Sequence, residues 1–167
     1  TGGEPLLRKN IPALIEQLAK IDFIEDISLT TNGVLLTKEL AKQLRSAGLN
    51  RITISLDALD DETFKVISDT SYNLKQVLEG IDNAESAGLS PIKINMVVKK
   101  GVNEHSILPM AKYFHGSNKI LRFIEFMDVG STNRWQIKDV FSGKEIVDVI
   151  CKKFALEPVN QNYTGEV

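Results

Sequence analysis

Residues 46–56, SAGLNRITISL, return forty positions later as SAGLSPIKINM at 86–96. Each copy ends a helix, stops it at a glycine and starts a β-run. Gly48 and Gly88 stand where a left-handed residue closes a helix, a conformation glycine adopts without a Cβ penalty. A chain of repeated helix-then-strand units folds with parallel strands and outer helices, because each connection must cross over the sheet.

The remaining units keep the rhythm. A helix over 11–20 feeds a strand over 26–32, DISLTTN. The spacing of Leu40 and Leu44 predicts a helix over 37–47, with Thr37 as its N-cap. A strand follows over 51–57, then a short helix over 60–68. Leu74, Val77, Leu78, Ile81 and Ala84 fall at helical spacing and predict a helix over 74–87. The next strand is 92–98, followed by a helix near 104–114, a strand over 120–127 and a helix near 143–154. No linker or low-complexity stretch interrupts residues 1–167, which read as one domain; 157–167 read as a loop.

Side chains alternate faces along a strand. Ile52, Ile54 and Leu56 lie opposite Thr53, Ser55 and Asp57. Ile92, Ile94, Met96 and Val98 lie opposite Lys93 and Asn95. Ile27 and Leu29 lie opposite Ser28, Thr30 and Asn32. Parallel strands buried on both faces read as nearly continuous apolar runs; these are apolar on one face only. The apolar face meets helices, and the polar face meets water or a polar ligand. The expected fold is therefore α/β, an incomplete TIM-type (βα) barrel with parallel strands, outer helices and a polar lumen. A doubly wound sheet is the alternative.

Charge and composition exclude several classes. Twenty basic and 22 acidic residues give a net charge of −2, without the basic excess of a duplex nucleic-acid binder. No apolar run approaches the ~18 residues of a membrane span. Cys151 is the only cysteine, so no internal disulfide forms and a reducing, cytoplasmic setting is expected. His105, His115 and Cys151 make no metal-site spacing. No G-x-S-x-G, Walker A or G-x-G-x-x-G motif occurs.

Thr30, Ser55, Lys93 and Asn95 form the candidate lumen set. A lysine facing a lumen has to meet an anion or shed its proton. Lys93 therefore binds a ligand phosphate or carboxylate, pairs with Asp57 or Glu125, or serves as a Schiff-base amine as in an aldolase. Arg122 and Glu125 have opposite parity, so a strand bulge is needed for both to face the lumen. Met127 ends the strand, and on pattern alone it reads as core filler. Asn103 reads as a helix cap, His105 as a surface residue, Cys151 as core with Val147, Ile150 and Phe154, and Trp135 as a surface anchor or of open role.

TGGEPLLR, LTTNG, ISLDALD, KINMVVKKGVN and RFIEFMDVG occur in this order over nearly the whole chain. Together they resemble the radical S-adenosylmethionine GTP 3′,8-cyclase family of molybdenum-cofactor biosynthesis. That resemblance implies an enzyme in which an iron–sulfur cluster reduces S-adenosylmethionine to a 5′-deoxyadenosyl radical. The radical takes the ribose 3′ hydrogen of GTP, and the substrate radical attacks C8 of the guanine. The product expected is (8S)-3′,8-cyclo-7,8-dihydroguanosine 5′-triphosphate. Carried over by position, S-adenosylmethionine contacts fall on Gly2, Gly3, Glu4, Ser55 and Met127. GTP contacts fall on Thr30, Lys93 and Arg122.

No residue of the chain is assigned a catalytic or metal-ligating role by the resemblance. The family's cysteine loop for one [4Fe-4S] cluster is expected before Thr1, and the cysteines of a second cluster after Val167. The chain is thus expected to be a central portion of the barrel, without turnover of its own. The complete protein is expected to be a homodimer with GTP as substrate and with neither nucleic acid nor membrane as partner. A non-catalytic binding domain on the same fold is the remaining alternative.

Overall fold

The structure, a computed structural model, describes residues 3–68, 72–129 and 135–159. Gly2 and the end of the tail lie outside them. Four strands pair in chain order and all in parallel: β1 (Ser28–Thr31), β2 (Arg51–Ser55), β3 (Ile92–Val98) and β4 (Lys119–Glu125). α1 (Ile11–Ala19) precedes β1, and α2 (Lys38–Ser46) joins β1 to β2. α3 (Asp61–Ser68) and α4 (Leu74–Ser86) lie between β2 and β3, α5 (Ile107–Phe114) between β3 and β4, and α6 (Gly143–Cys151) follows β4. A doubly wound sheet reverses its strand order at a switch point. The 1-2-3-4 order contains no reversal, and the fold is part of a TIM-type barrel.

Local chemistry sets the helix ends. Thr37 Oγ1 accepts from the Leu40 N–H at 3.2 Å, and Asn73–Gln76 and Ser142–Glu145 form reciprocal capping boxes. Gly48 and Gly88 have φ of 109° and 77°. Ile52, Ile54, Ile92, Ile94, Met96 and Val98 are buried beneath Ala41, Leu44, Val77, Ile81, Ala84, Ile107 and Met110. A fully buried aliphatic side chain contributes about 1.5–3 kcal/mol. A one-residue slip of any strand would turn its share of this set to the open face, so the register is strongly determined.

Two expectations are corrected. Cys151 is exposed, not core; α6 instead buries Ile146 and Ile150, one turn apart, while Val147 stays exposed. Asn103 makes no side-chain cap bond. It is fully buried, and its carboxamide ties the Lys99 N–H to the Asp57 and Val97 carbonyls at 2.8, 2.9 and 2.8 Å.

Among the described residues the outer edges of β1 and β4 pair with no strand. Unpaired edges invite pairing with another chain. The isolated 167-residue chain is accordingly expected to self-associate as concentration rises, read by sedimentation velocity. A single monomeric boundary at millimolar concentration would contradict this.

Candidate functional site at the polar face of the sheet

Register places the polar side chains in rows. Thr30 pairs with Thr53, Thr53 with Lys93, and Lys93 with Ile120. One pleat nearer the carboxyl ends, Ser55 pairs with Asn95 and Asn95 with Arg122. Residues matched across parallel strands share a face, so Thr30, Ser55, Lys93 and Arg122 stand on one side of one sheet. Adjacent strands are ~4.8 Å apart, so the two rows run as neighbouring lines across the sheet. Thr31, the neighbour of Thr30, turns the other way and is buried.

β3–β4 pairing runs without a bulge, which settles the parity of Arg122 and Glu125. Arg122 faces the lumen. Glu125 faces the helices, where its Oε1 accepts from the Gly143 N–H at the start of α6. A carboxylate is favoured at that helix end. The pairings of Lys93 with Asp57 or Glu125 are not formed. Lys93 and Arg122 make no ion pair or hydrogen bond among the described residues. Between them the buried Oδ1 of Asn95 has no partner. Buried polar atoms are nearly always bonded, yet this face presents two cations and a buried acceptor without partners among the described residues.

The glycine turn reaches this site through Glu4. Its Oε1 accepts from the Thr31 hydroxyl and, at 3.0 Å, from the Leu6 N–H. Its Oε2 accepts from the Asn32 N–H at 2.8 Å. The acid thus locks the turn against the end of β1. A Cβ built on Gly3 meets nothing within 4 Å, and its backbone is not left-handed. Neither packing nor φ therefore requires glycine there.

Asp57 shares the parity of Ser55 and holds the place where β2 and β3 diverge. Its Oδ1 accepts from the Val97 N–H at 2.7 Å. Burial pushes its carboxyl up to about 6, partly offset by that hydrogen bond. A carboxyl raised on folding stabilises the fold fully below its unfolded pKa of 3.8 and loses that contribution as pH rises through about 6. Asp57→Asn keeps an acceptor and removes the charge. The variant is expected to be more stable by on the order of 2 kcal/mol at about pH 7.5, with no difference near pH 4. Urea melts at the two pH values measure it; equal stability at the higher pH would contradict the burial of a charged Asp57.

Several candidates lie apart from the rows. His105 is exposed, with its Nε2 3.1 Å from the Thr63 hydroxyl. Met127, beyond the last pair of β4, is 55% exposed. Trp135 is half-buried and bonded to the Phe126 carbonyl. An apolar cleft of about 450 Å³, lined by Phe114, Leu121, Phe123 and Phe154, opens on the helix side, away from Lys93 and Ser55. No group of three or more His, Cys, Asp or Glu among the described residues could hold a metal. These residues do not fit an iron–sulfur cluster. Sequence reasoning missed the Thr31–Glu4 and Asn103–Asp57 ties, which join residues 27 and 46 positions apart with no local spacing to reveal them.

Parallel strands in 1-2-3-4 order with outer helices and an open polar face define a partial (βα) barrel. The chain belongs to the radical SAM superfamily, whose sequence profile matches residues 1–114. It is 52% identical, over its full 167 residues, to the GTP 3′,8-cyclase of Xanthomonas campestris pv. campestris (strain B100). It is 49% identical to that of Staphylococcus epidermidis (strain ATCC 12228 / FDA PCI 1200) and 46% to that of Acidothermus cellulolyticus. The chain spans 49%, 48% and 46% of the lengths of these relatives, about half in each case. Among solved structures it superposes on coproporphyrinogen III oxidase from Escherichia coli, a radical SAM enzyme. The TM-score is 0.61 at 14% identity, covering 90% of this chain and 37% of that one. Among the described residues no helix is long and apolar enough to cross a membrane.

Proposed function

We propose that the complete protein is a GTP 3′,8-cyclase that converts GTP to (8S)-3′,8-cyclo-7,8-dihydroguanosine 5′-triphosphate in molybdenum-cofactor biosynthesis. Relatives of that name align along the entire chain at about half identity. The observation that carries the reading is the pair of unpartnered cations, Lys93 and Arg122, on the face that also presents Thr30, Ser55 and Asn95. A triphosphate supplies the counter-charge those side chains lack, and charge-assisted hydrogen bonds are the strong ones.

In this reading Lys93 and Arg122 bind GTP phosphate oxygens, and Thr30 donates its hydroxyl to the same substrate. Gly3 leaves room for S-adenosylmethionine at the turn, beside the carboxylate of Glu4. Ser55 contacts the same molecule from β2, and Met127 lies against its adenine. When bound, S-adenosylmethionine supplies the hydrogen-abstracting radical of the reaction. The chain's own residues hold the two nucleotides side by side on the sheet and fix which ribose carbon faces the reactive group. Proximity of this kind is worth several orders of magnitude in rate. The clusters are held by residues outside the described set, and the native assembly is a cytoplasmic homodimer.

The test is anaerobic reconstitution of the complete protein with iron and sulfide, followed by GTP conversion with S-adenosylmethionine and a reductant. Formation of the cyclised triphosphate is expected. A protein that leaves GTP unchanged but traps a carbonyl substrate on Lys93 with borohydride would overturn the reading.

A further inference from the structure

Trp135 is the only tryptophan of the chain. Its indole Nε1–H donates to the Phe126 carbonyl at 3.0 Å. Phe126 is held from two further sides. Its N–H donates to the Val98 carbonyl at 3.2 Å, and the Lys99 ammonium lies 4.6 Å from the centroid of its ring. Lys99 is itself fixed by Asn103 and by an antiparallel bridge to Val140, and the Lys100 N–H donates to the Asp139 carbonyl at 2.9 Å. The segment from Trp135 to Val140 is thus strapped to the carboxyl ends of β3 and β4.

The residue after the clamped carbonyl is Met127. It is 55% exposed, and its N–H belongs to the same peptide unit as the carbonyl that the indole holds. We propose that Trp135 is a positioning residue: its indole N–H fixes the Phe126–Met127 peptide, and so presents Met127 to S-adenosylmethionine at the mouth of the lumen. This rests on the assignment of Met127 to that ligand. Thr30, Lys93 and Arg122, which would hold GTP, lie further down the strands and do not depend on the bond. Loss of the N–H therefore separates the two ligands, which a purely structural tryptophan would not do.

The experiment uses the complete reconstituted protein and two variants, Trp135→Phe and a protein carrying 3-benzothienylalanine at position 135. The second deletes the N–H and keeps the ring shape, so it reports even if the phenylalanine variant folds poorly. Dissociation constants for S-adenosylmethionine and GTP are measured by equilibrium dialysis, alongside Tm. The expected result is an S-adenosylmethionine constant raised about tenfold, with the GTP constant and Tm unchanged. In the wild-type protein, the emission of this sole tryptophan is expected to shift on S-adenosylmethionine addition and not on GTP addition.

Equal binding of S-adenosylmethionine by wild type and the benzothienyl protein would overturn the positioning role. So would parallel loss of both ligands together with Tm. If Met127→Ala weakens S-adenosylmethionine while the benzothienyl protein does not, the site assignment stands and this inference alone falls. If the wild type itself does not bind S-adenosylmethionine, the assignment falls and the inference with it.

Discussion

Gly80→Ala is expected to destabilise the chain by about 3 kcal/mol, the upper end for overpacking a close contact, and to lower Tm by roughly 10 °C. A Cβ at position 80 would lie 2.3 Å from the Gly33 carbonyl oxygen and 3.1 Å from its carbon. Both are backbone atoms, so no side chain can swing away. Gly33 has little freedom to yield: its φ is 79°, its carbonyl accepts from the Leu36 N–H at 3.1 Å, and its N–H donates to Thr31 Oγ1 at 3.1 Å. The same loop carries Thr31 and Asn32, which hold Glu4. Strain at Gly80 therefore passes from α4 to the glycine turn. Gly88→Ala is the control. Its φ is 77°, but a Cβ there meets nothing within 4 Å, so only left-handed backbone strain of about 1 kcal/mol applies. Thermal melts of both variants measure the contrast. A Gly80 variant as stable as the Gly88 variant would mean that α4 does not press on the β1 loop.

Lys93→Met and Arg122→Met are each expected to weaken GTP binding by about 10- to 100-fold, the worth of one charge-assisted hydrogen bond in a partly buried site. Methionine keeps the apolar stem of either residue, so the loss belongs to the charge. The side chains are diagonal neighbours on β3 and β4, close enough to share one triphosphate, so the double variant is expected to lose less than the product of the two single losses. Affinity for S-adenosylmethionine should stay within about twofold, because none of its proposed contacts pairs with these cations: Glu4 is held by Leu6, Thr31 and Asn32 instead. Lys112→Met, at an exposed position of α5, serves as a charge-matched control. Equilibrium dialysis with labelled GTP decides the outcome. Retention of full GTP affinity in Lys93→Met would remove the anion-binding role from the sheet.

Much of this architecture is legible in the residues. The repeat at 46–56 and 86–96, in which Gly48 and Gly88 stop a helix before a strand, gives the parallel topology. Strand parity places Thr30, Ser55 and Lys93 on one face, because strand side chains alternate whatever the surrounding fold. Single-faced apolarity separates the helix side from the lumen. Pairing was less legible. Parity alone left Arg122 and Glu125 open, and the unbroken β3–β4 register decides between them. Cys151 was misread because α6 rests on Ile146 and Ile150, a stripe that excludes it. The Asn103 tie reads as a cap in sequence because one of its partners, Asp57, lies 46 residues away and meets it only in the fold. Met127 and Trp135 lie beyond the last strand pair, where periodicity carries no information.

Hydrogen–deuterium exchange of the complete reconstituted protein, with and without S-adenosylmethionine and GTP, tests most directly whether the polar face of the sheet receives both nucleotides. Slowed exchange is expected in peptides covering 3–6, 28–34, 55–58 and 93–99, and at the end of β4. Protection confined to the outer helices or to the apolar cleft beside Phe154, with these peptides unchanged, would contradict it.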